Sequence, residues 1–118
     1  MYSKEDLLSE AQEAAEKVWF VQSVKMVERT DFTLSLRLEI RHEVFVQVFL
    51  GELTGSLYFA LIDRGQRIFG MDRESGEWHL HPYDTPHWHL PLPESPEPKP
   101  LLKFLSRVEE LLDQHELL

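Results

Sequence analysis

From residue 32 to residue 50 the chain keeps a period of two. Phe32, Leu34, Leu36, Leu38 and Ile40 alternate with Thr33, Ser35, Arg37, Glu39 and Arg41, the spacing of a strand that is wet on one face. After a tight reversal at Arg41-His42-Glu43, Val44, Val46, Val48 and Leu50 alternate with Phe45, Gln47 and Phe49, so the two segments read as an antiparallel hairpin. Gly51 to Gly55 breaks the pattern, and the apolar run Leu57 to Ile62 suits a central strand. Asp63-Arg64-Gly65-Gln66 carries turn chemistry, which predicts Arg67 to Asp72 as its returning partner. Ser75-Gly76 marks another turn. Trp78 to His81 then reads as a short strand that stops where Pro82 removes a ladder donor.

Both ends of the chain change to steps of three and four. Ser3-Lys4-Glu5-Asp6 has the form of a capping box, and Leu7, Leu8, Ala11, Ala14, Ala15 and Val18 form one apolar stripe with Glu10, Glu13 and Lys17 turned to water. This predicts a helix over about residues 3–18. From Trp19 β-branched and aromatic residues take over, and a first strand is expected at about 20–29. Near the other end Leu101, Phe104, Leu105, Val108, Leu111, Leu112 and His115 share a face behind Pro100, which predicts a second helix over about 100–116. All seven prolines fall between, within residues 82–100, so that stretch reads as a stiff connection. The expectation is a single α+β domain over residues 1–118: an antiparallel meander of five or six strands, about residues 20–81, covered by the N-terminal and C-terminal helices.

The length of 118 residues agrees with one domain and a true core. With no cysteine, disulfides and thiolate metal sites are excluded. No apolar run approaches the roughly 20 residues of a membrane span, and acids stand where a signal peptide carries bases; a soluble, cytoplasmic protein is expected. The net charge of −9 disfavours a broad nucleic-acid surface. The acidity is concentrated at the ends, however. Residues 1–18 hold two bases against five acids and residues 76–118 three against eight, which leaves the middle at −1. A local basic face from Arg37, Arg41, Arg64, Arg67 and Arg73 is therefore compatible with the charge.

Candidate chemistry gathers in Trp78 to His89, W-H-L-H-P-Y-D-T-P-H-W-H, which holds four of the six histidines and two of the three tryptophans. His79 and His81 lie two apart and face one way if extended, as do His87 and His89. Three readings stay open. Two imidazoles could serve metal-independent acid–base cleavage of RNA, His87 as acid or base and His79 or His81 as its complement, with Asp84 orienting a ring and Tyr83 stacking or donating. Arg67 or Arg73 would take the phosphate, beside Trp88 and His89 as further substrate contacts. The paired H-x-H spacing could instead ligate Zn, Ni or Cu, with Asp84 as oxygen donor. The third reading is framework: Asp84 caps a turn fixed by Pro86, while Tyr83, Trp78 and Trp88 fill the core edge. His42, His115 and the charge runs Asp72-Arg73-Glu74 and Glu109-Glu110 read as solvated or structural. No glycine-rich phosphate loop occurs, and no cofactor is expected.

The run from L-I-D-R-G-Q-R-I-F-G-M-D through G-E-W-H-L-H-P-Y-D-T-P-H resembles the TumE family of bacterial and archaeal toxin components, whose signature is R-Y-D-N-A-P-H. In layout the resemblance covers about residues 20–115. Tyr83, Asp84, Pro86 and His87 match, while Pro82 stands for the Arg and Thr85 for the Asn. The resemblance implies the toxin half of a toxin–antitoxin pair, acting inside the cell, neutralised by a small, usually DNA-binding antitoxin, and RNase-like in activity. With Pro82 in the signature's Arg position, any charge the chemistry needs must come from elsewhere. A non-catalytic module that binds a protein partner or a second copy through a sheet edge is the alternative.

Overall fold

The alternating segments become consecutive strands in a computed structural model that describes residues 2–115. The order is α1 (Lys4–Lys17), β1 (Ser23–Arg29), β2 (Thr33–Arg41), β3 (Val44–Gly51), β4 (Ser56–Asp63), β5 (Gln66–Glu74), β6 (Glu77–His81), β7 (Leu90–Pro91) and α2 (Pro100–Gln114). All seven strands form one antiparallel meander in sequence order. The α+β architecture is as the periodicity predicts. The additional strand is the two-residue β7, too short and too proline-bound to leave a pattern. The predicted final residue of the second helix, 116, lies outside the described residues.

Two hairpins follow from their turn residues. Arg64 and Gly65 have φ of 51° and 81°, and Ser75 and Gly76 have 52° and 81°, the double left-handed geometry whose twist matches that of paired strands. The second turn fixes the register of β5 on β6: Glu74 opposes Glu77, Arg73 Trp78, Asp72 His79 and Gly70 His81.

One face of the sheet carries Leu34, Leu36, Leu38, Val46, Val48, Leu50, Leu57, Phe59, Leu61 and Met71, all buried under the two helices. Phe104 of α2 is fully buried, with ring centroids 5.4 Å from both Phe59 and Phe69. The Pro-rich connection is tied to this side by Glu97, which accepts from Arg73 Nη1 at 3.0 Å and Trp78 Nε1 at 3.1 Å. Among the described residues no helix is long and apolar enough to cross a membrane.

The capping box of α1 forms as predicted, with Asp6 N donating to Ser3 Oγ and Ser3 N to Asp6 Oδ2. Glu10 departs from its expected exposure: it is only 4% exposed. Its carboxylate accepts from Tyr2 Oη at 2.5 Å and from Leu102 N at 2.7 Å. Lys99, the N-cap of α2, makes no side-chain cap, so Glu10 satisfies a first-turn amide of α2 from another helix. Glu10→Ala orphans two buried donors and is expected to cost about 2–4 kcal/mol, measured by urea unfolding.

Burial pushes the Glu10 carboxyl up despite these donors. A raised carboxyl binds its proton more readily in the folded state, so its stabilisation is full below the ordinary glutamate value and is lost as pH rises through the raised one. Glu10→Gln is expected to flatten that part of the stability–pH curve; an unchanged slope would contradict this origin.

Candidate functional site

The face of the sheet away from the helices is open. Register places Arg37, Gln47, Ala60, Gly70 and His81 in one row across it, and Ser35, Phe49, Tyr58, Asp72 and His79 in the next. Phe49 and Tyr58 lie 5.9 Å apart, Tyr58 donates to Glu74, and the Arg37 guanidinium sits 4.0 Å over Phe45. Ala60 and Gly70 keep the middle of the row low. A Cβ on Gly70 would come 3.1 Å from the Phe59 carbonyl and 3.4–3.5 Å from Arg67 Cδ and His81 Cβ, so glycine permits both side chains to close over the strand.

At the β6 end of these rows three imidazoles converge on one carboxylate. His81 Nε2 lies 2.6 Å from Asp72 Oδ2, His89 Nε2 3.4 Å from Oδ1 and His79 Nδ1 3.8 Å from Oδ1. The His79 and His89 ring centroids are 4.1 Å apart, and His81 and His89 stack at 4.8 Å. Asp72 is buried at 6% exposure, whereas the His89 side chain is 46% exposed. The buried Nδ1 of His79 has no hydrogen-bond partner.

The Pro86 carbonyl organises the rim. It lies 3.0 Å from His81 Nδ1 and accepts from Arg67 Nη2 at 2.8 Å. A carbonyl oxygen only accepts, so His81 donates from Nδ1 to Pro86, and its Nε2 shares a second proton with Asp72 Oδ2 across 2.6 Å. The shared acceptor also holds the Arg67 guanidinium beside the cluster.

The predicted residues therefore divide. His79, His81 and His89 meet, and Arg67 reaches their edge. Asp84 and His87 are exposed and do not join. Residues 85–88 turn, with Trp88 N donating to Thr85 O at 2.9 Å, so the extended spacing that would pair His87 with His89 is absent; Asp84, at φ 71°, is a turn residue. Tyr83 packs instead on His115, 4.1 Å between centroids. Trp88 is 53% exposed beside His87, at 6.4 Å.

Arg73 lies apart from the cluster. It points to the helix-covered side, donates to Gly55 O and Glu97, and lies 5.6 Å over Trp78. Arg37, Arg41, Arg64, Arg67 and Arg73 thus do not all share one face. Asp72, read from the sequence as part of a solvated charge run, is instead the hub. Its signal was the Ser75-Gly76 turn, whose two-residue register sets Asp72 opposite His79.

A cleft of about 670 Å³ lies elsewhere, against α1, and includes Asp6, Glu10, Glu13 and Glu97 in its lining; such walls repel phosphate. The chain matches no family model, no curated protein and no solved structure.

Proposed function

We propose that the protein is a TumE-like toxin of a toxin–antitoxin pair, cutting RNA at the Asp72–His79–His81–His89 cluster. The observation that carries this reading is the convergence of three imidazoles on one buried carboxylate at the open face of the sheet. Imidazoles exchange protons near neutral pH, the requirement of metal-independent phosphodiester transfer.

In the proposed step His89, the exposed ring oriented by Asp72, takes the proton of a ribose 2′-OH. The freed 2′-oxygen attacks phosphorus, and the bond to the 5′-oxygen breaks as His79 protonates it, leaving a 2′,3′-cyclic phosphate. Arg67 offsets the charge on the non-bridging oxygens, the role left open by Pro82. His81 is a positioning residue, since both its nitrogens are engaged. Exposed Trp88 offers a stacking surface for a base. With a net charge of −9, binding must come from such local contacts. The geometry supports this reading more than the signature does: Pro82–His87 is one residue shorter than R-Y-D-N-A-P-H and contributes no side chain to the cluster.

A partner surface is available at the sheet edge. β1 pairs on one side only, and Met26, Val27, Phe32 and Leu53 are 50–76% exposed on or near it. An antitoxin segment could add there as a further strand; the same edge would serve a second copy of the chain or a non-catalytic binding module. Expressed alone, the chain is expected to slow growth and shorten cellular RNA, and His89→Ala to do neither. Indistinguishable growth with intact RNA in both would remove the nuclease reading.

A further inference from the structure

We propose that the same cluster is a binding site for a borderline divalent metal of the zinc type, ligated by Asp72, His81 Nε2 and His89 Nε2, with His79 Nδ1 beside them as a fourth donor that would have to move in. This goes beyond the cleavage reading and does not depend on it. Asp72, His81 and His89 each present a ligand atom, all within 4.8 Å of one another. His79 adds the buried ring nitrogen that has no hydrogen-bond partner, an atom for which ligation would supply the missing contact.

The donor set is selective by type. Imidazole nitrogen with one carboxylate suits Zn²⁺ or Ni²⁺, whereas Mg²⁺ and Ca²⁺ want oxygen ligands. Bonds of about 2.0–2.1 Å place the ligand atoms of a tetrahedral ion roughly 3.3 Å apart, so the atoms of Asp72, His81 and His89, now within 4.8 Å of one another, must draw in on it. His89 Nε2 and His79 Nδ1 lie 3.4 Å and 3.8 Å from Asp72 Oδ1. The 2.6 Å contact of His81 Nε2 with Oδ2 is a hydrogen bond, so the ion must replace the proton these atoms share.

The surroundings are those of a ligating histidine. His81 gives its other ring N–H to the Pro86 carbonyl at 3.0 Å, the outer contact that fixes tautomer and ring orientation in metal sites. His79 and His81 are fixed on β6, and Asp72 on β5 beside it. His89, half-exposed and next to the two-residue β7, is the ligand free to close on an ion. Ligation through the nitrogens that face Asp72 would leave each ring's other nitrogen as an N–H that cannot take a proton, so a metal-loaded cluster and an acid–base cluster are alternative states of the same side chains.

The test is calorimetric titration of the full-length, chelator-treated chain with ZnCl2, with MgCl2 as the control. Saturable binding of one Zn²⁺ per chain is expected, with a Tm that rises with Zn²⁺ and not with Mg²⁺. His89→Ala, at an exposed position that should not disturb folding, and His81→Ala should each weaken binding more than roughly 100-fold, beyond what losing an outer contact does. His87→Ala should leave it unchanged. No saturable Zn²⁺ binding, or binding that survives His89→Ala but fails in His87→Ala, overturns the assignment. RNA that stays intact with the chelator-treated, metal-free protein, beside tight Zn²⁺ binding, retires the cleavage reading alone.

Discussion

Phe104→Ala is expected to lower the unfolding free energy by about 3–5 kcal/mol, the range for deleting a buried ring whose cavity cannot collapse. Phe104 is fully buried, and its ring touches both Phe59 of β4 and Phe69 of β5 at 5.4 Å. Neighbours fixed in sheet ladders have little freedom to fill the space. The substitution would also loosen α2 from the strand pair that carries Asp72, so its effect should extend from the core to the site. Urea denaturation followed by tryptophan fluorescence and circular dichroism measures it. A loss under about 1 kcal/mol, too small for such a cavity, would mean that α2 is not seated on β4 and β5 as described.

If the cluster cuts RNA as proposed, Asp72→Asn lowers that cleavage by about 10²–10⁴-fold, the usual contribution of a correctly presented acid–base group, with little change in fold. Asparagine keeps the shape but replaces a carboxylate oxygen by an N–H₂, which can only donate. One of the contacts to His81 at 2.6 Å or His89 at 3.4 Å then meets the wrong partner, and the charge that orients the rings is gone. Single-turnover cleavage of a short RNA gives the rate, and near-unchanged circular dichroism separates it from unfolding. Wild-type cleavage in Asp72→Asn would move the chemistry elsewhere.

Much of the scaffold could be read from residue order because its determinants are local. The alternation in β2 and β3, the Ser3–Asp6 box and the Arg64-Gly65 and Ser75-Gly76 turns each act within a few residues. The closing helix was equally plain from its spacing behind Pro100. Those features suffice for an antiparallel meander between two helices.

The site was half legible. His79 and His81 stood out by type and parity, but Asp72 looked like a surface acid until the turn register set it against His79. His87 was favoured over His89 because it falls in the Tyr83–His87 match to the signature, and the period of two that would pair the two rings ends where residues 85–88 turn. Strand-like spacing says nothing once Pro and Asp take the backbone out of the β region. Arg73 and Arg67 could not be told apart for a similar reason. The irregularity at Leu61/Ile62 shifts the β4–β5 register and breaks simple parity along β5, and only the folded register shows that Arg67 crosses Gly70 toward His81 while Arg73 faces Glu97. Glu10, placed on the wet side of helix 1 by its spacing, is drawn inside by Tyr2, outside the helix eight residues back, and by the Leu102 amide, 92 residues on.

The decisive comparison sets His89→Ala beside His87→Ala in cleavage of one defined RNA by purified, folded protein. If the chemistry resides in the side chains around Asp72, His89→Ala loses at least about 10²-fold and His87→Ala stays near wild type; retained cleavage in His89→Ala with loss in His87→Ala would place the active residue in the Tyr83–His87 loop instead.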